Sequence, residues 1–308
     1  MKTVLMIGGA GFMGCNFSEY FLKKGYKVVS YDIKVSRIKD SNLVNVIGNS
    51  KDTNKMKEIF SNHKIDFVIY TLTSFWIVDS NESYQELVLE NLAPIIDLLN
   101  IMKENNVNKF IYISSGGSIY GQSNKPISED AEKLPVSFYG WIKEAAESYI
   151  RYIARTNDNF KYIIFRPSNV YGKYQQLNRI IGVALKNAYI GEEMNIFGDI
   201  NTQKDYIHID DFSEIVLTLI EKEKWNDVYN IGSGEATSTK EILEYAQEIT
   251  GNKMKINYKE TKTGDINYSV LNVDKVKNIL GKSKFLNTFD GMKDMFKYVK
   301  SEIEKEKK

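Results

Sequence analysis

An apolar run, Thr3–Ile7, ends directly in the glycine series Gly8, Gly11 and Gly14 of GGAGFMG, and Phe17, Tyr20 and Phe21 then recur at helical spacing. A buried strand, a glycine turn and a helix start, in that order, leave few choices of fold. Glycines let backbone N–H groups approach an anion, and the helix dipole favours negative charge at that end. The turn is therefore suited to a pyrophosphate. Its spacing is G-x-x-G-x-x-G, not the G-x-G-x-x-G of ordinary dehydrogenases. A second apolar strand, Lys27–Asp32, closes on a carboxylate. At that place Asp32 can accept both ribose hydroxyls of an adenosine and would repel a 2′-phosphate, which favours NAD over NADP.

Alternation continues downstream. Short strand patterns at Val44–Ile47, Asp66–Leu72 and Lys109–Ser115 are separated by helical patterns at Asn54–Asn62 and a long one at Leu87–Asn105. A helix over Phe138–Arg155 and a strand over Lys161–Pro167 follow. Strands alternating with helices predict an α/β fold with a doubly wound parallel sheet. Beyond it the pattern loosens. Helices are expected near Leu177–Ala188, Asp211–Glu223 and Thr239–Gly251, with a loop-rich stretch from Gly191 to Asp205. The expected organisation is a dinucleotide-binding domain over residues 1–167 and a smaller α/β substrate domain over 168–308. A segment of about 205–232 is expected to pack back onto the first.

Composition narrows the function classes. Of 308 residues, 41 are Lys or Arg and 40 are Asp or Glu, and the net charge of +1 argues against a general nucleic-acid or membrane-surface binder. Cys15 is the single cysteine and His63 and His208 are the two histidines, so no metal site is expected. His208 reads as a structural hydrogen-bonding residue. No apolar run is long enough to span a bilayer, and the first run breaks at Gly8, too early for a signal peptide. A soluble cytoplasmic protein is expected.

A second motif carries chemistry. Tyr139 and Lys143 are four apart on a predicted helix and share one face. An ammonium beside a phenol favours the phenolate, which suits acid/base work. Together with SSGGSIYG (Ser114–Gly121), RPSNVYG (Arg166–Gly172), IFGD (Ile196–Asp199), KDYIHIDD (Lys204–Asp211), YNIGSGE (Tyr229–Glu235) and TGD (Thr263–Asp265), these motifs span nearly the whole chain. In this the chain resembles the extended short-chain dehydrogenase/reductase family, and within it the sugar-nucleotide epimerases and dehydratases. The UDP-glucose 4-epimerases are the most similar branch.

The resemblance implies a Rossmann-type NAD domain. It places Gly8, Gly11, Phe12, Met13 and Gly14 at the pyrophosphate, and Asp32 at the adenosine ribose. Asn49 and Ser50 fall where the family reads adenine, Thr71 lies under the cofactor, and Asn91 braces that region. It makes Tyr139 the base for a sugar 4-hydroxyl and gives Lys143 the nicotinamide ribose as well. A supporting hydroxyl comes from Ser118 or from Ser115, with Ser118 preferred. Ser115 also falls at the substrate, and nucleotide-diphosphate contacts fall on Asn169, Gln176, Ile196, Phe197, Lys204 and Lys262, the two lysines standing where the family carries arginines. Ser269 matches a position beside the sugar C2 substituent, with Tyr268 as its competitor. Related 4,6-dehydratases carry an Asp-Glu pair where this chain has Gly117-Ser118, so the resemblance favours 4-epimerisation of a nucleotide-linked sugar, UDP foremost. A dehydratase, a reductase or a non-catalytic NAD-binding protein are the alternatives. The resemblance further implies a homodimer and a place in polysaccharide supply.

Overall fold

Every residue of β1 (Thr3–Ile7) is buried, so this strand has no face for water and must lie inside a covered sheet. A computed structural model describes residues 1–73, 83–259 and 268–306. After β1 come α1 (Phe12–Lys23), β2 (Lys27–Asp32), β3 (Leu43–Ile47), α2 (Thr53–Asn62), β4 (Phe67–Tyr70), α3 (Tyr84–Asn91) and α4 (Ala93–Glu104). Next are β5 (Lys109–Ile113), the single turn α5 (Gly116–Ile119), α6 (Phe138–Thr156), β6 (Lys161–Pro167), β7 (Asn169–Tyr171), α7 (Ile180–Ile190), β8 (Met194–Phe197) and β9 (Gln203–His208). The chain ends with α8 (Ile209–Glu221), β10 (Asp227–Ile231), β11 (Ala236–Ser238), α9 (Thr239–Thr250), β12 (Ile256–Lys259), β13 (Tyr268–Ser269), α10 (Asp274–Leu280) and α11 (Thr288–Glu306).

The main sheet has seven strands in the order β10-β6-β5-β4-β1-β2-β3. All pairings from β3 to β6 are parallel. This is the Rossmann-type α/β fold expected from the sequence. The order reverses between β1 and β4, which are direct neighbours with Ile7 opposite Tyr70. A crevice opens at the carboxyl ends of two such strands, and ligands of this fold bind there. Apolar residues of β1, β4, β5 and β6 (Leu5, Val68, Phe110, Ile164) form one core with Met56 and Ile59 of α2, Leu98 and Met102 of α4, and Ile150 of α6.

One expectation needs correction, and a second gains detail. The long helix over Leu87–Asn105 is two helices, α3 and α4, parted at Leu92. Pro94, in the first turn of α4, has no N–H to give, and its ring collides with the carbonyl four residues back, so one continuous helix cannot form. The loop-rich stretch from Gly191 to Asp205 also carries strand structure that the local pattern does not show. It holds β8 and the start of β9, and β8 is completed by parallel pairing with the distant β12, which local sequence cannot show.

The chain divides into two compact units. One comprises residues 1–120, 132–166 and 213–229, and the other 121–131, 167–212 and 230–308. In the second unit β9 pairs with β7, β11 and β13. Helices α7, α9 and α11 contribute Leu185, Leu243 and Met295 to its core. Asp205 ties this unit together. Its fully buried carboxylate accepts from Ser233 N–H (2.7 Å) and Oγ (2.9 Å), Gly234 N–H (3.2 Å) and Leu271 N–H (3.3 Å). Burial raises its pKa, and these donors offset only part of that shift.

Candidate active site

The glycine turn sits at the mouth of the crevice. Gly8 N–H donates to Tyr31 O (2.9 Å), which holds the turn against β2. A Cβ on Gly14 would lie 2.1 Å from the Gly8 carbonyl oxygen, so only glycine lets α1 start this close to β1. Gly11 caps α1 without a side-chain hydrogen bond. The first-turn N–H groups, including those of Phe12 and Met13, therefore depend on an outside acceptor. Asp32 is fixed at the end of β2, its carboxylate accepting from Ala10 N–H (3.0 Å) and Lys34 N–H (3.2 Å). Thr71, just past β4, donates to the carbonyls of Ile7 (2.9 Å) and Gly8 (3.2 Å) and closes the crevice floor. An open helix N-terminus beside a fixed carboxylate fits a dinucleotide. Phe12, Met13, Gly14 and Asp32 are the residues that could hold it. Asn49 and Ser50 follow β3, where Asn49 O accepts from the Tyr31 hydroxyl (2.7 Å) and its side-chain oxygen from Lys51 N–H (3.0 Å).

The second group is built on α6. Ser137 caps that helix, accepting from Gly140 N–H at 3.1 Å, which places Tyr139 in the first turn, where the helix dipole favours an anion. Tyr139 and Lys143 are 7% and 4% exposed, and the lysine Nζ lies 5.7 Å from the Tyr139 ring centre. Lys143 donates to Ile113 O (3.0 Å) and stands 5.0 Å over the Tyr112 ring. Burial lowers its pKa to about 7, against an opposing pull from Glu147. With Leu72, Thr73, Asn91 and Ile142, these groups line one cleft. Asn91, at the end of α3, donates to Leu87 O (3.0 Å).

Ser115 and Ser118 lie on α5 and the residue before it, with Ser115 Oγ donating to Ser118 Oγ at 3.2 Å. A Cβ on Gly140 would sit 2.2 Å from the Ser118 carbonyl, so α5 rests directly on the Tyr139 turn. Sequence reasoning missed Glu147 and Arg166. Glu147 accepts from Arg166 Nε (3.0 Å) and Nη2 (2.7 Å), from Ser114 Oγ (2.6 Å) and from Arg151 Nη1 (3.0 Å). Burial raises the Glu147 pKa, but these donors outweigh it and hold the carboxyl below its ordinary value. The signal was available, because Tyr139, Lys143 and Glu147 repeat every four residues on one helix face.

In the second unit, Asn169 Nδ2 donates to Asp205 O (2.9 Å), and Asn169 is opposite Tyr206 across β7 and β9. Lys204 and Ser269 are register partners in β9 and β13, with Tyr268 opposite Gln203. The structure thus brings Asn169, Lys204 and Ser269 onto one sheet. Gln176 is exposed and accepts from Asn178 Nδ2 (3.3 Å). On β8, Ile196 points into the core at 4% exposure and Phe197 is 65% exposed. Lys262, Thr263–Asp265 and Trp76 lie outside the described residues. His208 is buried, with Asp210 N–H 3.4 Å from its Nδ1. Burial lowers its pKa despite nearby Asp210, Asp294 and Asp211. The carboxylates of Asp210 and Asp294 lie 3.8 and 3.7 Å from its two ring nitrogens. Among the described residues, no helix is long and apolar enough to cross a membrane.

A strand–glycine turn–helix with its carboxylate, next to a buried Tyr-Lys pair, defines an NAD enzyme of the short-chain type. The chain belongs to the NAD dependent epimerase/dehydratase family, whose profile matches residues 4–232, and its cofactor is NAD. It is 29% identical over 308 residues to dTDP-4-dehydro-6-deoxyglucose reductase of Escherichia coli, covering 96% of this chain and 97% of that one. It is also 29% identical over 322 residues to UDP-glucose 4-epimerase of Lactobacillus helveticus, with 97% of each chain covered. Among solved structures, UDP-glucose 4-epimerase of Thermotoga maritima with UDP-glucose aligns at a TM-score of 0.90 and 29% identity, over 98% of this chain and 99% of that one.

A lysine that titrates near 7 when folded and near its ordinary value of 10.5 when unfolded binds fewer protons in the native state between those limits. Stability from this group therefore rises with pH across that window, and its cost is complete below it. Lys143→Met is expected to be about 1–3 kcal/mol more stable than the wild type at pH 7. That advantage should shrink toward pH 10 in urea melts. An equal advantage at both pH values would show that Lys143 is not a buried, strained cation.

Proposed function

We propose that the protein is an NAD-dependent sugar-nucleotide 4-epimerase, acting on a UDP-linked hexose or N-acetylhexosamine through a 4-keto sugar. One observation carries the choice of reaction. The turn resting on Tyr139 offers the hydroxyls of Ser115 and Ser118 and no carboxylate. Elimination of water needs an acid and a base beside the sugar. The buried carboxylate on α6, Glu147, is held by two arginines and a serine. Among the described residues this favours reversible oxidation at C4 over elimination.

The bound cofactor supplies the acceptor and donor of the hydride at C4. Tyr139 takes the 4-hydroxyl proton as the 4-keto sugar forms and returns it when the opposite face is reduced. Lys143, positive and close to the ring, favours the phenolate, and the α6 N-terminus acts in the same direction. Ser118, with Ser115 behind it, steadies the 4-oxygen. Asn169, Gln176, the Ile196–Phe197 backbone, Lys204 and Lys262 hold the nucleotide diphosphate. Ser269 lies at the sugar C2 substituent. A second reading is supported by the Escherichia coli relative: reduction of a dTDP-linked 4-keto-6-deoxysugar at the same Tyr139.

Homodimerisation through α3, α4 and α6 is also proposed. Tyr84 and Leu89 on α3 and Trp141 and Tyr152 on α6 are 45–60% exposed, an apolar display that a partner copy would cover. Light scattering at a monomer mass would contradict it.

Purified protein given UDP-glucose, UDP-N-acetylglucosamine or their C4 epimers should return isomers with no net change in NADH. Stoichiometric NADH consumption with a dTDP-4-keto sugar would instead establish the reductase. Tyr139→Phe is expected to lower turnover at least ~10²-fold with NAD still bound, and unchanged turnover would remove Tyr139 from the reaction. Ser269→Tyr should abolish conversion of N-acetyl sugars by filling the space at C2 while leaving UDP-glucose activity within severalfold. A wild-type enzyme that converts UDP-galactose but not UDP-N-acetylgalactosamine would refute the role given to Ser269.

A further inference from the structure

Glu147 and Arg166 are 0% and 2% exposed. Removing such a pair from water is expensive, and well-packed apolar residues of similar volume often serve stability as well or better. Its presence therefore calls for a reason other than stability. The partners supply one. Glu147 grips Ser114 Oγ at 2.6 Å, immediately before Ser115. Arg166 Nη1 donates to the Tyr120 hydroxyl at 2.6 Å, immediately after Ile119, and its guanidinium carbon lies 5.0 Å over the same ring. Ser114 N–H also donates to Phe165 O at 2.7 Å, beside Arg166 in β6. The α5 turn is thus anchored at both ends by one ion pair. The same carboxylate stands one helical turn behind Lys143, whose ammonium is held by Ile113 O at 3.0 Å.

We propose that Glu147 and Arg166 are positioning residues, clamping the Ser115–Ile119 turn at both ends and holding Lys143 in register with Tyr139. Glu147 acts on the reacting groups through Lys143 and Ser114, and Arg166 acts through Tyr120. Neither touches substrate. Lys143 is faced by Tyr139 and Glu147 from α6 and by Tyr112 from β5. Glu147 is faced by Arg151 from α6, Arg166 from β6 and Ser114 after β5. Within this shell Glu147 is the anion that opposes the loss of the Lys143 proton favoured by burial. The turnover arm of the test rests on the epimerase reading, and the other two arms do not.

The Lys143 titration is followed in spectra of carbon-13-lysine-labelled protein, assigned with Lys143→Arg. In Glu147→Gln its midpoint should move down from about 7 by a tenfold or greater loss in proton affinity, because the carboxylate that favours the ammonium is gone. A midpoint at the wild-type value overturns the proposal. Tyr120→Phe removes one neutral anchor and leaves the ion pair intact. Its Ser115–Ile119 amides should exchange with deuterium at least tenfold faster, and kcat should fall about tenfold with KM within twofold. Wild-type exchange rates overturn the proposal, as does wild-type kcat. If Glu147→Gln does not fold, Tyr120→Phe decides alone. If the wild type converts no sugar nucleotide, the epimerase reading fails, and titration and exchange still decide the clamp.

Discussion

An ammonium group kept out of water organises this protein. Lys143 is 4% exposed, and a charge in such a place needs acceptors arranged around it. The Ile113 carbonyl ends β5, the Tyr112 ring comes from the same strand, and Glu147 lies one turn further along α6. Each neighbour is itself fixed: β5 by its parallel pairing with β4 and β6, and Glu147 by arginines on α6 and β6. The central sheet is thus the frame that holds one buried, titratable lysine near a phenol.

The cofactor end depends on a different constraint, the closeness of two backbones. Gly14 lets α1 approach β1, and the Tyr31 carbonyl and Thr71 hydroxyl close the turn from β2 and β4. Backbone N–H groups and one fixed carboxylate, Asp32, are what this end offers. The two groups use opposite means: fixed backbone dipoles at the glycine turn, and a buried titratable lysine beside Tyr139.

Much of this was legible before any coordinates. The strand–glycine–helix start, the Asp32 carboxylate and the Tyr139/Lys143 spacing are local patterns, and local patterns survive in a sequence. What escaped was decided across distance or by one residue's stereochemistry. Pro94 divides a helix whose apolar periodicity reads as continuous. β8 exists because β12 pairs with it from far along the chain. Glu147 looked like an ordinary helix acid, since only the fold brings Arg166, Ser114 and Tyr120 around it. Lys204 and Ser269, far apart in sequence, are paired by the register of β9 and β13.

The division of the chain has a consequence for its synthesis. The polypeptide passes between the two units at 120/121, 131/132, 166/167, 212/213 and 229/230. Neither unit is a continuous stretch, so no single cut releases a complete one. The outer strand β10, which covers β6, is among the later parts to leave the ribosome. Until it arrives, β6 is an open edge with six of its seven residues destined for burial, the kind of edge that recruits other chains. The nascent protein carries that open edge until β10 is made, and capping by a chaperone would shield it during that interval.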